Sequence, residues 1–320
     1  STPVPMLNVA LSGSLDGGFG SGLTLICGPS KHFKTSYALL MAASYLDKHK
    51  DAVMLFYDSE FGSPQAYFES FGIDPARVLH TPIKDVEELK FDLVNQLNDL
   101  DKKDNVIVVI DSIGNLASKK ELEDAIDAKS VTDMSRAKTI KGLFRMVTPY
   151  LKLKDVPCLA INHTYQEQAM FPKAIVSGGT GIYYSSDTIF IVGRSQDKIG
   201  TEIQGYHFTI NIEKSRFVKE KSKIPISVSW DGGIDKYSGL FDLAIEGGFF
   251  VKKNAQFVQL LNTKTGELEE QSVRPKNIPD SYWSDFIKYE PFATFITNKY
   301  TIGLRQMISE DLDEIDSEHE

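Results

Sequence analysis

At 320 residues, 42% of them hydrophobic and 25% charged, the chain is long enough for one large domain or two unequal ones and has a globular composition. No apolar run reaches the length of a membrane span, and the N-terminus lacks the charged-then-apolar layout of a secretory signal. Membrane-spanning and secreted classes are therefore excluded and a cytoplasmic location is expected. The net charge of −9 argues against a nucleic-acid binder until its placement is read: residues 310–320 hold seven acidic side chains, leaving 35 basic against 37 acidic residues in a near-neutral body that can still carry a basic groove.

In chain order, four apolar runs come first, residues 23–27, 53–57, 106–110 and 158–161. They are short and hydrophobic almost throughout, as parallel strands covered on both faces must be. Helical patterns fall between them. Residues 35–48 are rich in Ala, Leu and Met; residues 86–100 bring Leu89, Leu93, Val94 and Leu97 to one face; residues 135–151 repeat this with Leu143, Val147 and Leu151. The alternation predicts an α/β fold with a twisted, mostly parallel sheet flanked by helices. Runs at 188–192, 208–213 and 224–229 predict a meander that extends the sheet, closed by Asp231-Gly232-Gly233-Ile234-Asp235. Residues 240–246 predict a helix, and an aromatic, polar stretch continues to Leu304. The expected division is a core over 1–235, a small separate α+β domain over 236–308 and a disordered acidic tail over 309–320. That tail either competes with DNA for a basic groove or is simply solvated. Cys27 and Cys158 lie in apolar runs and read as free buried thiols.

The chemistry-bearing residues follow the strands. Gly28-Pro29-Ser30-Lys31-His32-Phe33-Lys34-Thr35 comes after the first strand and opens the first helix, continuing into Ser36. Strand, loop and helix in that order form a phosphate-binding loop, whose backbone N–H groups favour an anion. Lys34 would reach the β- and γ-phosphates and Thr35 would ligate Mg²⁺; the bland alternative is a tight turn that caps a helix. Phe33 stands where glycine is usual, and a non-glycine does not take a positive φ cheaply, so a different accommodation is expected. Asp111 ends the third strand, on the ligand-binding edge of such a sheet, where it would hold Mg²⁺ or accept from Thr35. Otherwise it is a strand-end cap. Glu60, in Tyr57-Asp58-Ser59-Glu60, would activate a water; alternatively Asp58 or Glu60 satisfies backbone donors in the turn. His163 follows the fourth strand as a γ-phosphate sensor or as a structural histidine.

Taken together, these residues resemble the RecA recombinases, and most closely the UvsX recombinases of bacteriophages. The RecA likeness lies in the order Gly28, Lys34-Thr35, Glu60, Asp111, Asn162-His163 and a Gly-rich loop, with Tyr67 seven residues after Glu60. The closer likeness lies in the glycine-poor phosphate loop and Phe56-Tyr57-Asp58-Ser59-Glu60-Phe61-Gly62. It extends to Asn115-Leu116-Ala117-Ser118-Lys119-Lys120-Glu121, Ile161-Asn162-His163-Thr164-Tyr165 and Glu213-Lys214-Ser215-Arg216. The resemblance implies a RecA-like P-loop ATPase core and a DNA-dependent ATPase that forms filaments on single-stranded DNA and exchanges strands with a homologous duplex. ATP and Mg²⁺ would be its cofactors, Glu60 its base, His163 its sensor and Tyr67 the adenine stacker.

Two loops, roughly 118–133 and 164–181, follow Asp111 and His163 and fall to DNA by the same resemblance, with Lys119, Lys120, Arg136, Phe171 and Lys173 as contacts. Without it, they read as mobile lids or a solvated charged face. Lys214 and Arg216 would reach the neighbour's γ-phosphate in a filament, or are two surface cations. A recombination mediator and a single-strand-binding protein are implied as partners. The family carries an N-terminal arm that packs on the neighbouring subunit; this chain begins at Ser1 shortly before its first strand, so trimming is expected to weaken assembly. The rival readings are a hexameric helicase or loader on the same core, and a nucleotide-switched DNA-binding module with little hydrolysis.

Overall fold

The structure, a computed structural model, describes residues 1–62, 65–127, 135–166, 174–199 and 201–303. Helix α1 (Pro5–Ser12) precedes strand β1 (Gly22–Cys27), α2 (Lys34–Lys48), β2 (Val53–Asp58), α3 (Gln65–Ser70), β3 (Val78–Pro82), α4 (Val86–Asp99) and β4 (Val106–Asp111). Then come α5 (Lys119–Ile126), α6 (Ser135–Leu153), β5 (Pro157–Asn162), the short pair β6 (Thr164–Gln166) and β7 (Ala174–Val176), α7 (Thr180–Ser185), β8 (Thr188–Ile199), β9 (Glu202–Lys214), β10 (Lys223–Ser229) and β11 (Gly233–Ile234). The C-terminal part holds α8 (Leu240–Glu246), β12 (Val251–Lys252), β13 (Val258–Leu261), β14 (Leu268–Val273), α9 (Asp280–Phe286) and α10 (Glu290–Tyr300).

Nine strands form one sheet in the order β11-β10-β9-β8-β1-β5-β4-β2-β3. From β8 to β3 neighbouring strands run parallel; β9, β10 and β11 are antiparallel. The four apolar runs are thus the adjacent central strands, with Cys27 beside Asn162 and Asp58 beside Asp111 at their C-terminal tips. The strands are apolar throughout because both faces are covered. On one face Ile26, Phe56, Val109 and Ile161 meet α2. On the other, Leu25, Val108, Ile110 and Ala160 meet Leu89, Leu93, Leu143 and Val147 of α4 and α6. Cys27 and Cys158 are free and buried, and burial pushes both thiols up to about 12.

Residues beyond Ile234 form a three-stranded antiparallel sheet with α8, α9 and α10. Their apolar side chains are not a second core. Leu240, Phe250, Trp283, Phe286 and Phe292 belong to one continuous cluster with Phe208, Ile210 and Ile226 of the large sheet and with α1. The small C-terminal α+β part thus packs its aromatics against the face of β9 and β10. α1, α3 and β3 were not read from the sequence. β3 is an edge strand with no buried residue, so the continuous hydrophobic signal is missing. No helix among the described residues is long and apolar enough to cross a membrane.

Candidate nucleotide site

The loop after β1 closes on itself before α2 begins. A Cβ at Gly28 would stand 3.0 Å from the Val192 carbonyl oxygen, so a side chain there would press on the strand next door. Arg194 of β8 donates to the Lys31 carbonyl at 2.9 Å while its guanidinium lies 4.6 Å from the Tyr206 ring centroid, bracing the loop from the side. His32 Nδ1 lies 2.8 Å from the Ser30 carbonyl oxygen.

Phe33 overturns one expectation. It adopts the left-handed conformation itself, with φ 63 and ψ 16, as does Lys31 with φ 59. For a non-glycine this costs about 1–2 kcal/mol. The ring offsets it: it stacks on Phe208 at 5.2 Å and meets Tyr37 edge-on at 5.3 Å, pairs worth about 0.5–1.5 kcal/mol each beyond burial. Phe33→Ala loses the rings and keeps the strain; Phe33→Gly loses the rings and relieves it. Both variants are expected to be less stable than the parent in urea denaturation, with the glycine variant above the alanine one by about 1 kcal/mol. The reverse order would show that the turn is not strained at this position.

Lys34 is buried at the start of α2 and its Nζ donates to the Pro29 carbonyl at 2.6 Å. Burial lowers its pKa, against the pull of Glu60 and Asp111. Thr35 Oγ1 donates to Asp111 Oδ2 at 2.7 Å. The other oxygen of that carboxylate, Oδ1, is buried and finds no partner among the described residues. A hydroxyl beside an unsatisfied carboxylate oxygen suits a hard cation that takes its remaining ligands from phosphates and water. Among the described residues no cluster of three His, Cys, Asp or Glu side chains could hold a metal without such help. The Tyr67 hydroxyl lies 3.0 Å from Ser36 Oγ at the cleft's rim.

The two alternatives at β2 are separated by geometry. Asp58 serves the turn: its Oδ1 accepts from the N–H groups of Glu60 at 3.0 Å and Phe61 at 2.8 Å, and its Oδ2 lies 2.9 Å from His80 Nε2. Glu60 is thereby left to project into the cleft. Its Oε1 accepts from Ser112 Oγ at 3.1 Å and from Asn115 Nδ2 at 2.9 Å, and lies 3.8 Å from His163 Nε2. Burial lowers the His163 pKa, with Lys34 adding to the effect and Glu60 opposing it, so the imidazole is neutral at physiological pH. Lys34, Thr35, Ser36, Glu60, Tyr67, Asp111 and His163 line one cleft at the C-terminal edge of the central strands.

Burial also pushes the Asp111 carboxyl up to about 6, with Glu60 and Asp58 adding to the shift and Thr35 and Lys34 opposing it. A carboxyl whose folded pKa lies above its unfolded value stabilises the fold below about pH 4 and loses that contribution as pH rises through 6. Two units correspond to about 3 kcal/mol. Asp111→Asn should therefore gain about 2–3 kcal/mol on the parent between pH 4.5 and pH 7.5 in paired urea titrations. A constant difference across that range would place Asp111 in the ordinary carboxylate range.

Residues 3–235 match a family model described as the RecA N-terminal domain, over more than half of the chain. The chain belongs to the RecA family. Residues 237–296 of this RecA-family chain match a second model, the C-terminal domain of the bacteriophage T4 recombination and repair protein. The recombination and repair protein of Enterobacteria phage T4 is 51% identical over 98% of this chain and 82% of its own. Protein RecA of Bacteroides thetaiotaomicron is 25% identical over 82% of this chain and 79% of its own. Protein RecA of Chloroherpeton thalassium is 25% identical over 83% and 75%. The likeness to phage UvsX recombinases carried by the motifs therefore holds along almost the whole chain.

The remaining candidate residues of this RecA-family protein are distributed as follows. The stretch 118–133 is not simply a loop, for it contains α5, opened by a capping box between Ser118 and Glu121. Lys119 and Lys120 lie exposed on its first turn. Within 164–181, β6 pairs with β7 and α7 begins at Thr180. Phe171 and Lys173 lie outside the described residues, as does the acidic end. Arg136 does not reach outward. Its guanidinium donates to the carbonyls of Leu116 at 2.6 Å, Ile113 at 2.9 Å and Gly114 at 3.1 Å. Three carbonyls left bare by the turn after β4 draw in the nearest cation, a contact that the expectation of DNA binding at Arg136 did not include. Lys214 and Arg216 lie away from this chain's own cleft, toward the N-terminal edge of the parallel strands. Lys214 Nζ donates to the Tyr183 carbonyl at 2.9 Å and Arg216 pairs with Asp187 at 2.8 Å.

Sequence reading gave no role to Ser112, Asn115, His80 or Arg194. Asn115 stood in a motif, but neither spacing nor composition told which way its amide would face. Arg194 acts on a carbonyl 163 residues away, a distance no local pattern reports.

Proposed function

We propose that this chain is an ATP-driven recombinase that polymerises on single-stranded DNA in the host cytoplasm, pairs it with a homologous duplex and exchanges strands. The observation that carries the reading is the meeting of Lys34, Thr35, Glu60, Asp111 and His163 around one cleft from which both candidate DNA loops depart. Lys34 and the backbone N–H groups of the phosphate loop bind and orient the β- and γ-phosphates. Tyr67 stacks on the base. Thr35 and Asp111 would hold Mg²⁺, which would supply charge neutralisation for the phosphates. Glu60 orients the attacking water and takes its proton. His163 senses the γ-phosphate. The second loop starts at this residue, where Ser177 N–H donates to the His163 carbonyl at 3.0 Å and Asn162 Nδ2 to the Ser177 carbonyl at 2.7 Å.

Lys119, Lys120, Phe171 and Lys173 track the strand through phosphate contacts and base stacking. Lys214 and Arg216, far from their own cleft, act on the γ-phosphate of the next subunit, so hydrolysis requires a filament. The small C-terminal domain is appended to this core, and a mediator and a single-strand-binding protein serve as partners of the whole chain. Hydrolysis measured with and without single-stranded DNA tests the proposal. A rise of at least tenfold on adding DNA is expected, together with joint-molecule formation from homologous but not heterologous duplex. Equal rates with and without DNA would sink it.

A further inference from the structure

The side-chain amide of Asn115 touches both functional groups that the turn after β4 faces. Its Nδ2 donates to Glu60 Oε1 at 2.9 Å, and its Oδ1 lies 3.1 Å from His163 Nε2. A carboxylate only accepts, so the amide nitrogen must face Glu60 and the amide oxygen must face the imidazole, which then donates from Nε2. The turn carrying Asn115 is held on both sides. Arg136, at the start of α6, binds the carbonyls of Ile113, Gly114 and Leu116, which flank Asn115. A Cβ on Gly114 would lie 2.1 Å from His163 Cδ2, so the turn's backbone presses against the imidazole. The end of the first loop, through Arg136, and the start of the second, at His163, therefore meet at one exposed asparagine.

We propose that Asn115 is the positioning residue that couples Glu60 to His163, so that the orientation of the hydrolytic carboxylate and the state of the second loop change together. The idea rests on the roles given to Glu60 and His163 above.

The test compares ATP hydrolysis by the full chain and by Asn115→Ala, Asn115→Asp, His163→Ala, Glu60→Gln and the Asn115→Ala/His163→Ala double variant, each with and without single-stranded DNA. Asn115→Ala is expected to lower kcat about tenfold with KM for ATP within about twofold, and to reduce stimulation by DNA. Asn115→Asp, which keeps the shape but sets a carboxylate against Glu60, should lose at least as much. In the His163→Ala background the alanine change should alter kcat less than about twofold, the signature of one shared interaction. Thermal unfolding should be unchanged, because the residue is exposed. Full activity in Asn115→Asp, or an alanine effect undiminished without His163, overturns the coupling while an inactive Glu60→Gln leaves the site reading intact. Wild-type hydrolysis by Glu60→Gln overturns both.

Discussion

Glu60→Gln should lower kcat for ATP hydrolysis about 10²–10⁴-fold, the usual contribution of a positioned general base. The substitution is nearly isosteric, and glutamine's amide oxygen can still accept from Ser112 and Asn115, the partners that hold the carboxylate now. Asp58, not Glu60, carries the backbone donors of the turn, so the loop keeps its shape. KM for ATP and the thermal midpoint should therefore stay close to those of the parent, and the loss should fall on the chemical step alone. On the proposed reading, in which hydrolysis releases the filament, binding without hydrolysis would also hold the variant on single-stranded DNA. Steady-state kinetics and DNA dissociation rates read the two effects separately. A variant that hydrolyses ATP at the parent rate would remove Glu60 from the reaction.

How far the sequence reaches depends on what kind of signal each feature leaves. The central strands are apolar on both faces and bounded by turns, so β1, β2, β4 and β5 were legible to within a residue or two at each end. So was the cleft's main cast, because strand tips in a parallel sheet fall along one edge and each carries its polar residue just past the apolar run. β3 was not legible, for an edge strand exposed on one side leaves no continuous hydrophobic run. Helix α5 was hidden in a polar stretch with no buried residue, and only its capping box betrays it. The structural contacts of Arg136 were not legible, because a basic residue after a loop suggests phosphate, whereas its guanidinium binds three carbonyls that only the folded turn brings within reach. At Phe33 the sequence reported the strain but not the relief, which comes from Phe208, on a strand far along the chain.

Lys34→Met should weaken ATP binding by about 10²–10³-fold, or about 3–4 kcal/mol, as the loss of a charge-assisted contact in a partly desolvated cleft requires. The fold should not suffer equally. Lys34 is buried with Pro29 as its hydrogen-bond acceptor, and burial already works against its charge. Methionine has nearly the same length and carries no desolvation cost, so removing the ammonium offsets the lost hydrogen bond. The opposing effect is on Asp111, whose carboxyl loses a cation that favours its ionised form. At neutral pH that penalty is partly avoided by protonation, since Asp111 already titrates near 6. The consequence is a dissociation of two readouts. With ATP at 100 times the parent's Kd, the parent should gain about 2.7 kcal/mol of stability, whereas a variant binding a hundredfold more weakly gains only about 0.4 kcal/mol. Without ATP the two proteins should unfold within about 1 kcal/mol of each other. Thermal shifts run with and without ATP separate the cases: equal ATP-induced shifts would mean that the phosphates do not sit on Lys34, and the cleft would need another ligand.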